Sequence, residues 1–102
     1  MKINGLVVDA DAIGKGLYGL ICDKGEEAIV AFGMIPKWAI DLMQQPLREK
    51  IVSTAAVQRG VTVEAFKPFL DEKEIKRTMA EIEHQVVLGI YNAASVAGRM
   101  VV

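Results

Sequence analysis

The last seventeen residues constrain this chain more than any other segment. They read VVLGIYNAASVAGRMVV, with twelve apolar residues and Arg99 as the single charged side chain. Upstream of them, apolar residues recur at spacings of three and four from Ile75 onward, which is the pattern of a helix with one apolar face. The pattern predicts one long helix over residues 71–101, and its apolar second half has to be buried against something.

The start of this helix is marked by residues 70–75. Asp71 is suited to cap the first turn, and Glu74, three residues later, completes the spacing of a capping box. Leu70 and Ile75 flank the box at the spacing of a hydrophobic staple. We therefore expect the helix to begin directly after Asp71.

The length of this helix raises the question of what covers it. From Glu72 to Met100 it would span about 43 Å, whereas a compact chain of this size has a diameter of roughly 33 Å. It therefore overhangs, bends near Gly89, or packs on a second copy; a core helix in a monomer is the alternative. We predict a homo-oligomer, a dimer or larger, because most soluble oligomers are homomeric. The predicted interface residues are Ile75, Met79, Ile82, Val86, Gly89, Ile90, Ala93 and Ala97.

Composition sets limits on function. The chain has 102 residues, 52% of them hydrophobic, and a net charge of −1. Neither half is basic, so no electrostatic attraction to nucleic acid is predicted. With one cysteine and one histidine, the available Cys–His pair is Cys22 and His84. Because Cys22 lies in an apolar run, we read it as structural and predict no catalytic residue, metal site or cofactor.

Membrane insertion and secretion are not expected. The apolar C-terminal stretch is shorter than the roughly 20 residues of a membrane span, and it contains Asn92 and Arg99. Met1 leads into a strand-like segment without the basic and apolar regions of a signal peptide. The sequence therefore predicts a cytoplasmic protein.

The first 35 residues are predicted to be rich in β structure. Short apolar runs occur at residues 3–8, 17–22 and 28–34, and a polar turn containing Gly25 separates the last two. Such a turn between apolar runs is typical of a hairpin, and the several glycines can mark bulges. We predict a three-stranded antiparallel sheet over residues 1–35.

Short helices are predicted for residues 36–70. Pro36 suits a first helical position, and Pro46 is expected to end or restart that helix. A second helix over residues 47–59 is expected to stop at Gly60, and Thr62 can cap a brief turn that follows. The fold class predicted for the single domain 1–102 is therefore α+β: sheet, short helices and one long C-terminal helix.

Residues 6–11, LVVDAD, place Asp9 and Asp11 directly after a predicted strand. This segment resembles the opening motif of the haloacid-dehalogenase-type phosphatases, which implies a nucleophilic first aspartate and a second that handles the proton. The resemblance covers six residues, and Ala12 and Ile13 depart from the motif. Residues 13–16, IGKG, resemble a phosphate-binding loop around Lys15. These residues are candidate ligand-binding residues in a phosphate-substrate enzyme.

Residues 47–70 resemble a helix-turn-helix motif. A small residue, Ala56, is followed four positions later by Gly60, then by an apolar residue and the cap Thr62. The resemblance implies a DNA-binding regulator. The segment after Thr62 is apolar and broken by Pro68, however, and it holds one cation, whereas major-groove recognition uses several polar side chains.

We predict a small self-associating binding or adaptor module that engages a protein or a small ligand. A helix-turn-helix regulator is the alternative, and an enzyme that uses Asp9, Asp11 and Lys15 is the third hypothesis. The first prediction follows from the large apolar helix surface and from the lack of a catalytic set or basic patch in the sequence.

Overall fold

The chain is mostly helical in this computed structural model, which describes the backbone of Lys2 and Ile3 together with residues 6–98. The described β structure is one short antiparallel pair, in which Ile3 lies opposite Leu6. The predicted α+β fold with a three-stranded sheet is therefore wrong. In chain order the elements are β1 (Lys2–Ile3), β2 (Leu6–Val7), α1 (Ala10–Asp23), α2 (Glu27–Ala31), α3 (Lys37–Gln58), α4 (Val63–Phe66), a 3₁₀ turn (Lys67–Phe69) and α5 (Glu72–Val96).

The first large correction is α1, which contains the segment 17–22 that we expected to be a strand. Asp9 caps this helix, because its side chain accepts a hydrogen bond from the Ala12 amide at 3.0 Å. The buried positions Ala10, Gly14, Leu17, Tyr18 and Ile21 follow the helical period. Glycines that we read as strand bulges thus lie inside a helix whose packing compensates for their low propensity.

The turn around Gly25 is where the sequence placed it, but it joins two helices rather than two strands. The Gly25 amide bonds to the Cys22 carbonyl, and Gly25 adopts a positive φ of 73° that closes α1. Helix α2 then replaces the expected strand over residues 28–34. It ends before Gly33, which also has a positive φ, of 84°.

Three side-chain contacts stabilise these short connections. Trp38 donates from Nε1 to the Glu26 carboxylate, and the Lys24 ammonium lies 5.2 Å from the centroid of the Trp38 ring. Farther along, the Tyr91 hydroxyl donates to the Gly33 carbonyl oxygen at 2.6 Å. The loop after α2 is thereby held against α5.

Helix α3 runs unbroken through Pro46, where we expected a helix to end. Proline costs the helix one backbone hydrogen bond, and here the residue lies on the exposed side of α3. The helix ends before Gly60, whose φ is 68°, and Thr62 caps the four-residue α4 through the Ala65 amide at 3.2 Å. Gly60 thus ends one helix and Thr62 caps the next, as the sequence predicted.

Helix α5 is the axis on which the other elements pack. The Asp71 side chain caps it by accepting from the Lys73 and Glu74 amides. The helix continues through Gly89 to Val96, and residues 99–101 of the predicted helix lie outside the described residues. A 25-residue helix spans about 37 Å, and the molecule is accordingly elongated, with extents of 47 × 22 × 20 Å.

The contacts along α5 give the direction of each neighbour. Leu6 lines the same cavity as Ile75 near the start of α5, Gly14 lies against Gly89, and Ala28 lines a second cavity together with Ala97. The elements β2, α1 and α2 therefore follow one another along α5 in its own direction. Helix α3 runs the opposite way, since Gln44 bonds to Glu83 whereas Arg48 bonds to Glu72. The described residues thus form three main helices, with α1 and α3 both packed on α5.

The core lies between these three helices. Its largest fully buried side chains are those of Ile21, Val30, Ile82, Val86 and Ile90. Val86 and Ile90 belong to the apolar half of α5, so one face of that half is buried by elements of the same chain, whereas Leu88 and Val96 in it are exposed.

Candidate functional site

The stripe that we predicted as an oligomer interface faces α1 and α3. Five of its members are buried: Ile75, Ile82, Val86, Gly89 and Ile90. Met79 and Ala93 are half-buried, and Ala97 is exposed. While α1 and α3 cover the buried members, those residues are not available to a second copy.

Asp9, Asp11 and Lys15 lie at the start of α1 rather than in a loop between strands. All three are exposed, and the Asp9 carboxylate is occupied by the Ala12 amide as the helix cap. Gly14 and Gly16 are interior helix positions, where backbone amides bond to carbonyls four residues earlier. Those amides are therefore not free to cradle a phosphate, and the three side chains lie on the exposed surface at the start of α1.

The segment 47–70 forms a helical corner with a very short second helix. Helix α4 has four residues, Val63–Phe66, and continues as a 3₁₀ turn. Its neighbouring cation, Lys67, forms an ion pair with Glu64 at 3.1 Å. A recognition helix needs several turns to place side chains on base edges, and one turn does not supply them.

A partly enclosed concave feature lies at this corner. It is a cavity of about 450 Å³ between the end of α3, α4 with its 3₁₀ turn, the start of α5, and Leu6 of β2. Its apolar lining consists of Leu6, Ile51, Val52, Ala55, Phe66, Phe69, Leu70 and Ile75. Its polar lining consists of Thr54, Gln58, Arg59, Asp71, Glu74 and Thr78. We call this space the corner cavity.

The Arg59 side chain is held at the edge of the corner cavity by two contacts. Its Nη1 atom donates to the Ala55 carbonyl at 3.2 Å, and its Cζ atom lies 4.8 Å from the centroid of the Phe66 ring. A guanidinium over an aromatic face at an exposed site is stabilised by about 0.5–1 kcal/mol. The Arg59 guanidinium thus already makes a hydrogen bond and a cation–π contact within the protein.

Two carboxylates at the start of α5, those of Asp71 and Glu74, also line the corner cavity. Asp71 Oδ1 accepts from the amides of Lys73 and Glu74 at 3.1 and 3.3 Å. Glu74 is exposed, and among the described residues no cation pairs with its carboxylate. The described lining therefore carries one positive and two negative charges.

The corner is braced from outside the cavity by Arg48 and Glu72. The guanidinium bonds to both carboxylate oxygens, with Nη1 to Oε2 at 2.9 Å. This hydrogen bonding, more than the Coulomb attraction, raises the pKa of Arg48 and lowers the pKa of Glu72. The bridge joins the middle of α3 to the first turn of α5.

The sequence did not point to the corner cavity, because its lining comes from four separate segments. The nearest signal was the helix-turn-helix resemblance of residues 47–70, the segment that contains Phe66. Phe66 is buried, whereas Phe69, three residues later, is 75% exposed at the cavity. Exposed aromatic residues next to a helical corner are the feature that would have drawn attention to it.

Neither a membrane span nor a metal site is found in the described part of the chain. No helix there has the length and hydropathy to cross a bilayer. Within residues 6–98, no three side chains of His, Cys, Asp or Glu come together as metal ligands. Comparison of the chain with protein-family models, curated proteins and solved structures gives no significant match.

Proposed function

We propose that this protein is a small helical binding module whose corner cavity takes up an apolar group of a ligand. The supporting observation is the cavity itself, with about 450 Å³ of space and a lining to which apolar and polar side chains both contribute. Sites for small ligands usually have volumes of about 300–1,000 Å³ and combine an apolar lining with a few polar groups. The proposal keeps the binding role that the sequence predicted and moves it away from the stripe on α5.

The geometry of Phe69 supports this proposal. Its side chain is 75% exposed although it lines the cavity, whereas Phe66 in the same lining is buried. An aromatic ring at the mouth of an apolar space offers a bound ligand a large contact surface without a change in the core.

A neutral fluorescent probe tests the proposal. N-phenyl-1-naphthylamine brightens in apolar sites, so we expect its fluorescence to rise with saturable dependence on protein concentration. Ala55→Phe fills the cavity and should weaken probe binding about tenfold, equivalent to ~1.4 kcal/mol. Val57→Phe is the matched control, because Val57 lies on the same helix, is 77% exposed and does not line the cavity.

A second variant separates loss of the site from loss of the fold. Phe69→Ala removes an exposed side chain, so circular dichroism and the unfolding temperature should change little while probe affinity falls. No saturable binding by the wild-type protein would refute the proposal. Equal probe affinity in Ala55→Phe and Val57→Phe, with both variants folded, would also refute it.

Self-association remains a prediction from the sequence. With the α5 stripe covered by the same chain, a second copy would contact side chains that are exposed, such as Phe32, Met34 and Val96. Light scattering at tens of micromolar tests it, and a strict monomer would contradict it.

A further inference from the structure

We infer that the corner cavity prefers an apolar ligand that carries a positive charge, such as an organic ammonium ion; this inference rests on the proposed function. The charges that line the cavity supply the reason. Among the described lining residues, Asp71 and Glu74 are negative and Arg59 is positive. The net charge of the lining is thus −1, and a cation gains Coulomb energy there that an anion loses.

Arg59 and Glu74 also differ in the contacts that their charged groups already make within the protein. The Arg59 guanidinium already donates to the Ala55 carbonyl and rests on the Phe66 ring. The Glu74 carboxylate has no such partner among the described residues and is the group most open to a ligand. A bound ammonium group would therefore meet a free carboxylate, whereas a bound carboxylate would compete with the contacts that hold Arg59.

The positive end of the α5 dipole favours an anion over a cation, because a helix N-terminus attracts anions. Here the Asp71 side chain already accepts from the Lys73 and Glu74 amides, which are two of the donors that an anion would use. The capped helix end thus offers a ligand anion fewer free donors than an uncapped one.

The expected size of the preference is modest. Glu74 is exposed, and ion pairs between exposed groups are worth about 0.2–1 kcal/mol because solvent screens them. A preference of this kind corresponds to a change in affinity of up to about fivefold, and it should shrink as salt is added.

Three probes with the same apolar body test the inference: 3-phenylpropylamine, 3-phenylpropanol and 3-phenylpropanoate. Each is titrated against the neutral fluorescent probe bound to the full-length protein, at neutral pH and low salt. We expect the amine to bind more tightly than the carboxylate, by up to about fivefold, with the alcohol between them. Glu74→Gln should narrow this difference, and Arg59→Gln should widen it.

Glu81→Gln is the matched control, because Glu81 is another exposed glutamate on α5 and does not line the corner cavity. It should leave the order of the three probes unchanged. Equal competition by all three probes would overturn the charge preference but leave the proposed function intact. Tightest binding by the carboxylate, lost in Arg59→Gln, would also overturn it and identify Arg59 as the anchor. If the neutral probe itself does not bind, the proposed function fails first.

Discussion

The backbones of Gly14 and Gly89 touch where α1 packs on α5. A Cβ atom on Gly14 would lie 2.7 Å from the Gly89 carbonyl carbon, and a Cβ atom on Gly89 would lie 3.0 Å from the Ala10 oxygen. These neighbours are backbone atoms, so no side chain can turn aside to make room. The two glycines therefore set the separation of the helices and the depth to which the apolar half of α5 is buried.

Gly14→Ala should destabilise the protein. The added methyl group would overlap backbone atoms of α5 at 2.7 Å, so the helices must move apart. We expect a loss of about 1–3 kcal/mol in the free energy of unfolding, as for other overpacked cores. Urea unfolding followed by circular dichroism measures it.

Gly16→Ala is the control for this change. Gly16 also lies inside α1, but a Cβ atom there meets nothing within 4 Å. Alanine should therefore stabilise the helix by about 0.5–1 kcal/mol through its higher propensity. Equal effects of the two substitutions would show that α1 does not pack against α5 at Gly14.

The sequence predicted well those elements that depend on local signals. The Asp71 cap, the Gly60 turn and the Thr62 cap all lie where short-range rules put them. Helix α1 was missed, because three glycines in one segment lower helix propensity. What offsets that cost at Gly14 is contact with α5, about 75 residues away, and propensity rules do not contain such contacts.

The candidate site was less predictable than the fold. The corner cavity depends on how α4 packs on α3, which brings Phe69 and Arg59 into one lining. Asp9, Asp11 and Lys15 were chosen from motif resemblance, and the motifs require a loop after a strand. Because residues 10–23 form a helix, that structural context is absent.

Tyr91→Phe should loosen the loop after α2. The tyrosine hydroxyl donates to the Gly33 carbonyl at 2.6 Å, and this hydrogen bond joins the loop to α5. Its removal should cost about 0.5–1.5 kcal/mol in the free energy of unfolding. Hydrogen exchange should rise at residues 32–35, and unchanged stability together with unchanged exchange would contradict the contact.

Glu72→Gln should lower the stability of the protein at neutral pH but not in acid. Arg48 lowers the pKa of the Glu72 carboxyl in the folded state, so the pair stabilises the protein at pH values above the ordinary glutamate pKa. This stabilisation is lost as the pH falls through the lowered pKa. Thermal unfolding of wild type and variant should therefore differ at neutral pH and converge in acid. Glu81→Gln is the control, and a difference that grows in acid would reverse the expected sign.

Phe66→Ala should destabilise the protein much more than Phe69→Ala. Phe66 is 6% exposed, and its truncation should cost about 3–5 kcal/mol. Phe69 is 75% exposed, and its truncation should change stability by no more than about 0.5 kcal/mol. Chemical denaturation of both variants checks this contrast, and similar losses would mean that the corner packs differently.

Proton contacts between Gly14 and Gly89 decide whether the apolar half of α5 is covered by its own chain. Chains labelled with ¹³C and ¹⁵N are refolded with an equal amount of unlabelled chains, and isotope-edited and isotope-filtered NOE spectra are recorded. We expect a cross-peak between the α-protons of the two glycines within labelled chains and none between labelled and unlabelled chains. A cross-peak found only between chains, or none in either spectrum, would contradict the packing of α1 on α5.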